Sequence, residues 1–172
     1  MCFLFACLTS CAGGNLSATT KENSAPKALG PIALRLRRSD GVLIDLSRER
    51  ERPSLLVVIA TFDGVSQAAM RPLARFARHN PQVRVIAVLA QPNAETFAPL
   101  FKEALNLPFE VAWDPENQII RGASLGPIEA VPSYFYLSPK GVVEQSHTGY
   151  LDEIGLERFG KAVAPSAEGM TE

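Results

Sequence analysis

Asp63 and Ser66, three residues apart just past an apolar run, are the side chains in the body of the chain best placed for chemistry. Their spacing sets both at the start of a helix over Gly64 to Asn80, where unpaired backbone N–H groups and the helix dipole favour an anion. Chemically, Asp63 is an acid–base group or an anchor for a cation. Structurally, it is an N-cap that satisfies those N–H groups, and the cap is the preferred reading. The Ser66 hydroxyl is too basic to ionise without a neighbouring base. It either activates a bound thiol or is simply a polar third residue of the helix. No thiol stands nearby in sequence, because Cys2, Cys7 and Cys11 are the only cysteines and all lie at the extreme N-terminus. Neither His79 nor His147 has a second Cys, His or carboxylate at a ligand spacing, so no metal site is expected. Phosphate-loop, nucleophile-elbow and zinc patterns are absent, and no cofactor is expected.

Those two residues need a strand behind them and a helix ahead. Leu55 to Ala60 is a continuous apolar, β-branched run, the mark of a central strand covered on both faces. Val65, Ala69, Leu73 and Phe76 recur at intervals of three and four through the helix, inside which Pro72 removes a backbone hydrogen bond. Upstream, Ile32, Leu34 and Leu36 alternate with Ala33, Arg35 and Arg37 as in a half-buried strand. Ser39-Asp40-Gly41 turns the chain, Val42 to Leu46 returns, and Ser47 to Arg52 is a charged loop. Downstream, Val83 to Leu89 is a second buried strand, and Asn93 caps a helix whose core face is Phe97, Leu100, Phe101 and Leu105. Phe109 to Trp113 is short and extended, with Trp113 packing in the core, and Asp114-Pro115-Glu116 opens a helical turn up to Gly122. Tyr134 to Leu137 and Val142 to Ser146 flank a Pro139-Lys140-Gly141 turn, with His147 on an exposed strand end. A last helix over Asp152 to Val163 carries Ile154, Leu156, Phe159 and Val163 on its apolar side. This order predicts an α/β domain over 30–164, a mixed sheet with helices on both faces, and a disordered tail over 165–172.

A formal charge of −1 gives no electrostatic footprint for nucleic acid. No apolar run reaches the roughly 20 residues that cross a bilayer as a helix. Met1 to Leu8 is apolar and uncharged, and Leu8-Thr9-Ser10-Cys11 resembles the lipobox of bacterial lipoprotein signals. That resemblance implies a signal segment over 1–10, cleavage before Cys11 and a lipid on its sulfur. Residues 11–29 then form the lipidated Cys11 and a polar, flexible tether that holds the domain about 20–25 Å from the membrane. The implied address is the bacterial cell envelope, facing the periplasm, with Ala12 after the cysteine favouring the outer membrane.

Four stretches, in order, resemble the thioredoxin-like superfamily, in particular envelope thiol–disulfide proteins of the TlpA and AhpC/TSA (redoxin) type. Leu34 to Leu46 is similar to the added N-terminal β-hairpin of that branch, and Val57 to Phe62 to the strand before the active-site cysteines. Asp114 through Phe135 is similar to the segment leading to a cis-proline and its strand, and Ser138 to Val143 to the final hairpin. The resemblance implies a three-layer thioredoxin-like fold. Carried over by position, Asp63 replaces the attacking cysteine and Ser66 the resolving one, with Gly64 and Val65 between them. Val131 and Pro132 take the place of the loop that presents its backbone to an extended partner chain. Pro72 falls one place later than the family's helical proline. A carboxylate does not perform thiol exchange. The expected function is therefore a membrane-anchored module without thiol redox chemistry and without a catalytic residue. It would bind an envelope protein or peptide through Asp63, Gly64, Val65, Ser66, Val131 and Pro132. The alternative is an enzyme: an atypical oxidoreductase or antioxidant-family protein using partner thiols, or a Ser66-dependent thiol transferase.

Overall fold

The computed structural model describes residues 30–49 and 51–161; the expected signal segment, Cys11 with its tether, Val163 and the tail lie outside them. Ten elements follow the chain as β1 (Arg35–Arg38), β2 (Leu43–Asp45), β3 (Ser54–Ile59), α1 (Gly64–His79), β4 (Arg84–Leu89), α2 (Ala94–Ala104), β5 (Glu110–Trp113), β6 (Ser133–Leu137), β7 (Val143–Thr148) and α3 (Glu153–Lys161). The strands make one mixed sheet in the order β2-β1-β5-β4-β3-β6-β7. β3, β4 and β5 run parallel, while β6 and β1 add to their two sides antiparallel. The β1–β2 and β6–β7 turns carry Gly41 at φ +87 and Gly141 at φ 75, a region that a Cβ disfavours.

β3 is the centre of the sheet, and every residue in it is buried. Its alternation sorts the core into two layers. Leu55, Val57 and Ile59 face one cluster, and Leu56 and Val58 face the other. The first cluster is roofed by helix: Ala69, Leu73 and Phe76 of α1, Ala94 and Ala98 of α2, and Leu156 and Phe159 of α3.

The second layer departs from the expectation of helices on both faces. No helical residue belongs to that cluster; Ile32, Leu34, Leu36, Ile44 and Leu46 of the hairpin region cover it together with Ile119 and Leu125. The reason lies in the connection from β5 to β6, which stays a string of turns. The Asp114 carboxylate accepts from the N–H groups of Glu116 (3.1 Å) and Ile119 (2.7 Å), and Asn117 sits at φ 53, so no helix propagates to Gly122.

Helix α2 also differs. Ala94 and Ala98 are its buried residues, Phe101 packs partly against the core, and Phe97, Leu100 and Leu105 are exposed. Two alanines let the helix lie close to the sheet, and the bulky residues fall on its flanks. Asn93 occupies the N-cap position at φ 56 without a side-chain cap bond, because the left-handed backbone turns its amide away from the helix start. Val65 and Ile154 stand on the solvent side of their helices. α1 runs through the buried Pro72 as a single helix.

Candidate functional site

The parallel strands end together, and open α/β sheets bind ligands at such an edge. The register Val58↔Ser133 sets the residues after Val58 beside those before Ser133. The turn into α1 and the Val131–Pro132 loop therefore meet at this end of the sheet, and the Val131–Pro132 peptide bond is cis. Asp63, Gly64, Val65, Ser66, Val131 and Pro132 thus lie toward one end of the sheet.

Asp63 has an extended backbone at φ −90, ψ 121 and caps α1. Its carboxylate accepts from the Ser66 N–H at 2.6 Å. The Ser66 main chain, then the Ser66 hydroxyl, hold its carboxyl below the usual carboxylate value, so it is anionic across the physiological range. Ser66 is fully buried, with its Oγ 3.4 Å from the Ala60 N–H that donates to it. That hydroxyl is shielded from solvent beside the Asp63 carboxylate. Gly64 has nothing within 4 Å of where a Cβ would be, and Val65 is exposed, so the tip of the turn is open.

The partner loop is firmly held on one side and free on the other. The Pro132 carbonyl accepts from Gly149 N–H at 2.8 Å, and Ser133 Oγ donates to the Ala130 carbonyl at 2.6 Å. Among the described residues, nothing bonds the Val131 N–H or carbonyl. A free main-chain pair next to a strand is the geometry of strand addition.

Three residues at this edge escaped the sequence reading. Phe62 is 77% exposed, an apolar ring standing out of the turn. Gln91, buried, accepts through Oε1 from the Thr61 N–H (2.6 Å) and from Thr61 Oγ1 (2.9 Å). Gln67 Nε2 donates to the Thr61 carbonyl at 2.6 Å and ties the turn to α1 from the other side. A lone glutamine directly after the β4 apolar run was the available signal for Gln91; Phe62 reads in sequence as the last residue of a strand. His147, expected on an exposed strand end, is half-buried against Tyr134 and Phe159, with ring centroids at 6.1 and 6.4 Å. It faces the helical layer because Tyr134, its register partner, does. Trp113 packs against the same core.

Neither a protein-family model nor a curated protein sequence matches the chain. Solved structures do. A DsbF homologue from Corynebacterium diphtheriae aligns with a TM-score of 0.70 at 12% identity over 86% of this chain and 96% of its own. A secreted thiol-disulfide isomerase from Corynebacterium glutamicum aligns at 0.69 and 14% identity, over 83% and 91%. The fold is thioredoxin-like. The exposed lipoprotein thioredoxin Etrx1 of Streptococcus pneumoniae is similar to 76% of this chain across 98% of its own, at a TM-score of 0.65 and 16% identity. The mixed sheet places the cis Val131–Pro132 peptide at the same end as Asp63 and Ser66.

Proposed function

We propose that this chain is a lipid-anchored, periplasm-facing thioredoxin-like module of the bacterial envelope that binds a protein or peptide without thiol redox chemistry. One observation carries the reading: residues 63–66 hold a carboxylate spent on capping a helix and a buried hydroxyl, and no sulfur. The open backbone of Val131, beside the exposed Phe62 and Val65, supports docking of an extended segment by strand addition with an apolar side chain on the ring. The lipobox resemblance at Cys11 supports the anchor, and similarity to the lipoprotein Etrx1 is consistent with it. Outer-membrane placement rests on Ala12 alone.

The second reading is an atypical oxidoreductase that works on partner thiols. It is favoured by similarity to a secreted thiol-disulfide isomerase and a secreted disulfide oxidoreductase. A Ser66-dependent transferase is the weaker form of it, given the burial of that hydroxyl. Insulin-disulfide reduction and photo-crosslinking from position 62 in envelopes separate the two readings. The binding module gives no turnover and a discrete crosslinked partner, lost in Val65→Arg. Turnover by protein carrying Cys2→Ser, Cys7→Ser and Cys11→Ser would establish the enzyme instead.

A further inference from the structure

The edge that carries the candidate site also opens a cavity of about 420 Å³, bounded by the C-terminal ends of β4 and β5 and the start of α2. That is the size of a small-ligand pocket. Gln91 belongs to both places. Its Oε1 accepts from the Thr61 N–H and hydroxyl, one residue before the exposed Phe62, and this fixes which end of the amide faces the turn. Gln91 is only 8% exposed and its Nε2 has no partner among the described residues, yet that nitrogen is not sealed in the core. Since Gln91 lines the cavity, the free donor opens there. Asn93 gives α2 no side-chain cap, so the first N–H groups of the helix add donors at the same mouth.

The charge of the cavity is one-sided. Glu95 and Asp114 line it, and among the described residues no Lys, Arg or His does. Glu95 is exposed and makes no ion pair among the described residues. The Asp114 carboxylate accepts the Glu116 and Ile119 N–H groups, which orient it without cancelling its charge. Two arginines of adjoining segments are engaged elsewhere. Arg37, the register partner of Trp113, donates to the Gly41 carbonyl of the β1–β2 turn at 2.9 Å, and Arg121 donates to the Glu116 carbonyl. Trp113, the single tryptophan of the chain, is half-buried and lines the cavity too. An indole beside two carboxylates suits a cation on an apolar stem.

We infer that this cavity takes a basic side chain, arginine or lysine, of the segment that docks on the Val131 loop. The cationic head meets Glu95 and Asp114, the stem lies along Trp113, and the carbonyl of the same residue accepts from Gln91 Nε2. A basic residue in a peptide carries all three features, whereas a bare anion meets two acids and a bare cation leaves the donors unused. The inference rests on the peptide-binding reading and names the chemistry of the partner.

Trp113 fluorescence of the full chain, titrated with Nα-acetyl-arginine methylamide, tests this, because the one tryptophan stands in the cavity. A saturable change is expected. The norleucine derivative, without the charge, binds at least about tenfold more weakly, and the glutamate derivative fails to bind. Propylguanidinium, which keeps head and stem but lacks the carbonyl, binds severalfold more weakly. Glu95→Gln, at an exposed position, weakens the arginine probe severalfold, and Glu95→Lys abolishes its binding. Absence of a saturable change, equal affinity for the norleucine derivative, or unchanged affinity in Glu95→Lys would overturn the inference. The probe has no apolar group for Phe62, so it reports on the cavity alone. A saturable titration beside a failed envelope crosslink supports the cation site and counts against the docking reading, so the two fail separately.

Discussion

At the scale of single residues, the difference between chemistry and architecture comes down to what each polar group touches. Asp63 stands in the field of the α1 N-terminus, and its hydrogen bonds go to the chain that it caps. Its carboxyl is held below the ordinary 3.8, so the stability it contributes is present above that value and fades as pH falls through the lowered one. Thermal melts should show Asp63→Ala lowering Tm by about 2–5 °C near neutrality. The gap between wild type and variant should narrow as pH drops below about 3.8, and a constant gap would mean that the charge is irrelevant. His147 works with the opposite proton sign. Burial against Tyr134 and Phe159 lowers its value below the ordinary 6.5. The unfolded chain therefore takes up the proton first, and stability falls as pH drops below about 6.5. Urea unfolding at pH 7.5 and 5.5 should show wild type losing more stability than His147→Gln over that interval. Tyr134 adds no titration there: its hydroxyl, buried and without a full hydrogen bond although the Leu151 main chain tempers the effect, is pushed up to about 12.

At the scale of elements, α2 shows where a sequence pattern misleads. Spacing alone assigns Phe97, Leu100, Phe101 and Leu105 to the core, because size and hydrophobicity dominate any reading of periodicity. The observed face is Ala94, Ala98 and part of Phe101, since a helix lying close over β4 and β5 has room for methyl groups. Stability measurements can tell these apart. Leu100→Ser, at 58% exposure, should change unfolding free energy by no more than about 0.5 kcal/mol, whereas Ala98→Leu, at 0%, should cost about 1–3 kcal/mol through overpacking. The sequence pattern predicts the reverse order. β3, β4 and β6 were legible because strands buried on both faces must be apolar throughout. The start of α1 was legible because a cap has few chemical solutions. The second layer was not, because turns held by one aspartate and a left-handed asparagine leave no periodic trace. Gln91 was hidden for the same reason: its partner, Thr61, is 30 residues away in sequence.

At the scale of the whole molecule, the sheet, the helix start and the cis-proline loop form a complete thioredoxin-like frame around a site without sulfur. On the proposed reading, two substitutions should give this site thiol chemistry. An N-cap residue and the third residue of its helix are neighbours about 5–6 Å apart, within the Cα range of a disulfide. A thiol at position 63 would sit in the same helix field that now lowers the Asp63 carboxyl, and the same field would favour its thiolate. A thiol at position 66 would take the buried place of the serine, protected from solvent and poised to resolve a mixed disulfide. In a background with Cys2, Cys7 and Cys11 each replaced by Ser, Asp63→Cys alone should accumulate mixed disulfides with a disulfide-bearing substrate and stop there. Asp63→Cys with Ser66→Cys should release them and reduce insulin through repeated turnover with dithiothreitol, while the cysteine-free parent stays silent. Silence from the double variant, with its fold confirmed by circular dichroism, would mean that the loop has drifted from redox geometry and not merely lost its cysteines. Turnover by the parent would remove the binding-module reading altogether, because electrons would then be moving through a domain that holds no thiol.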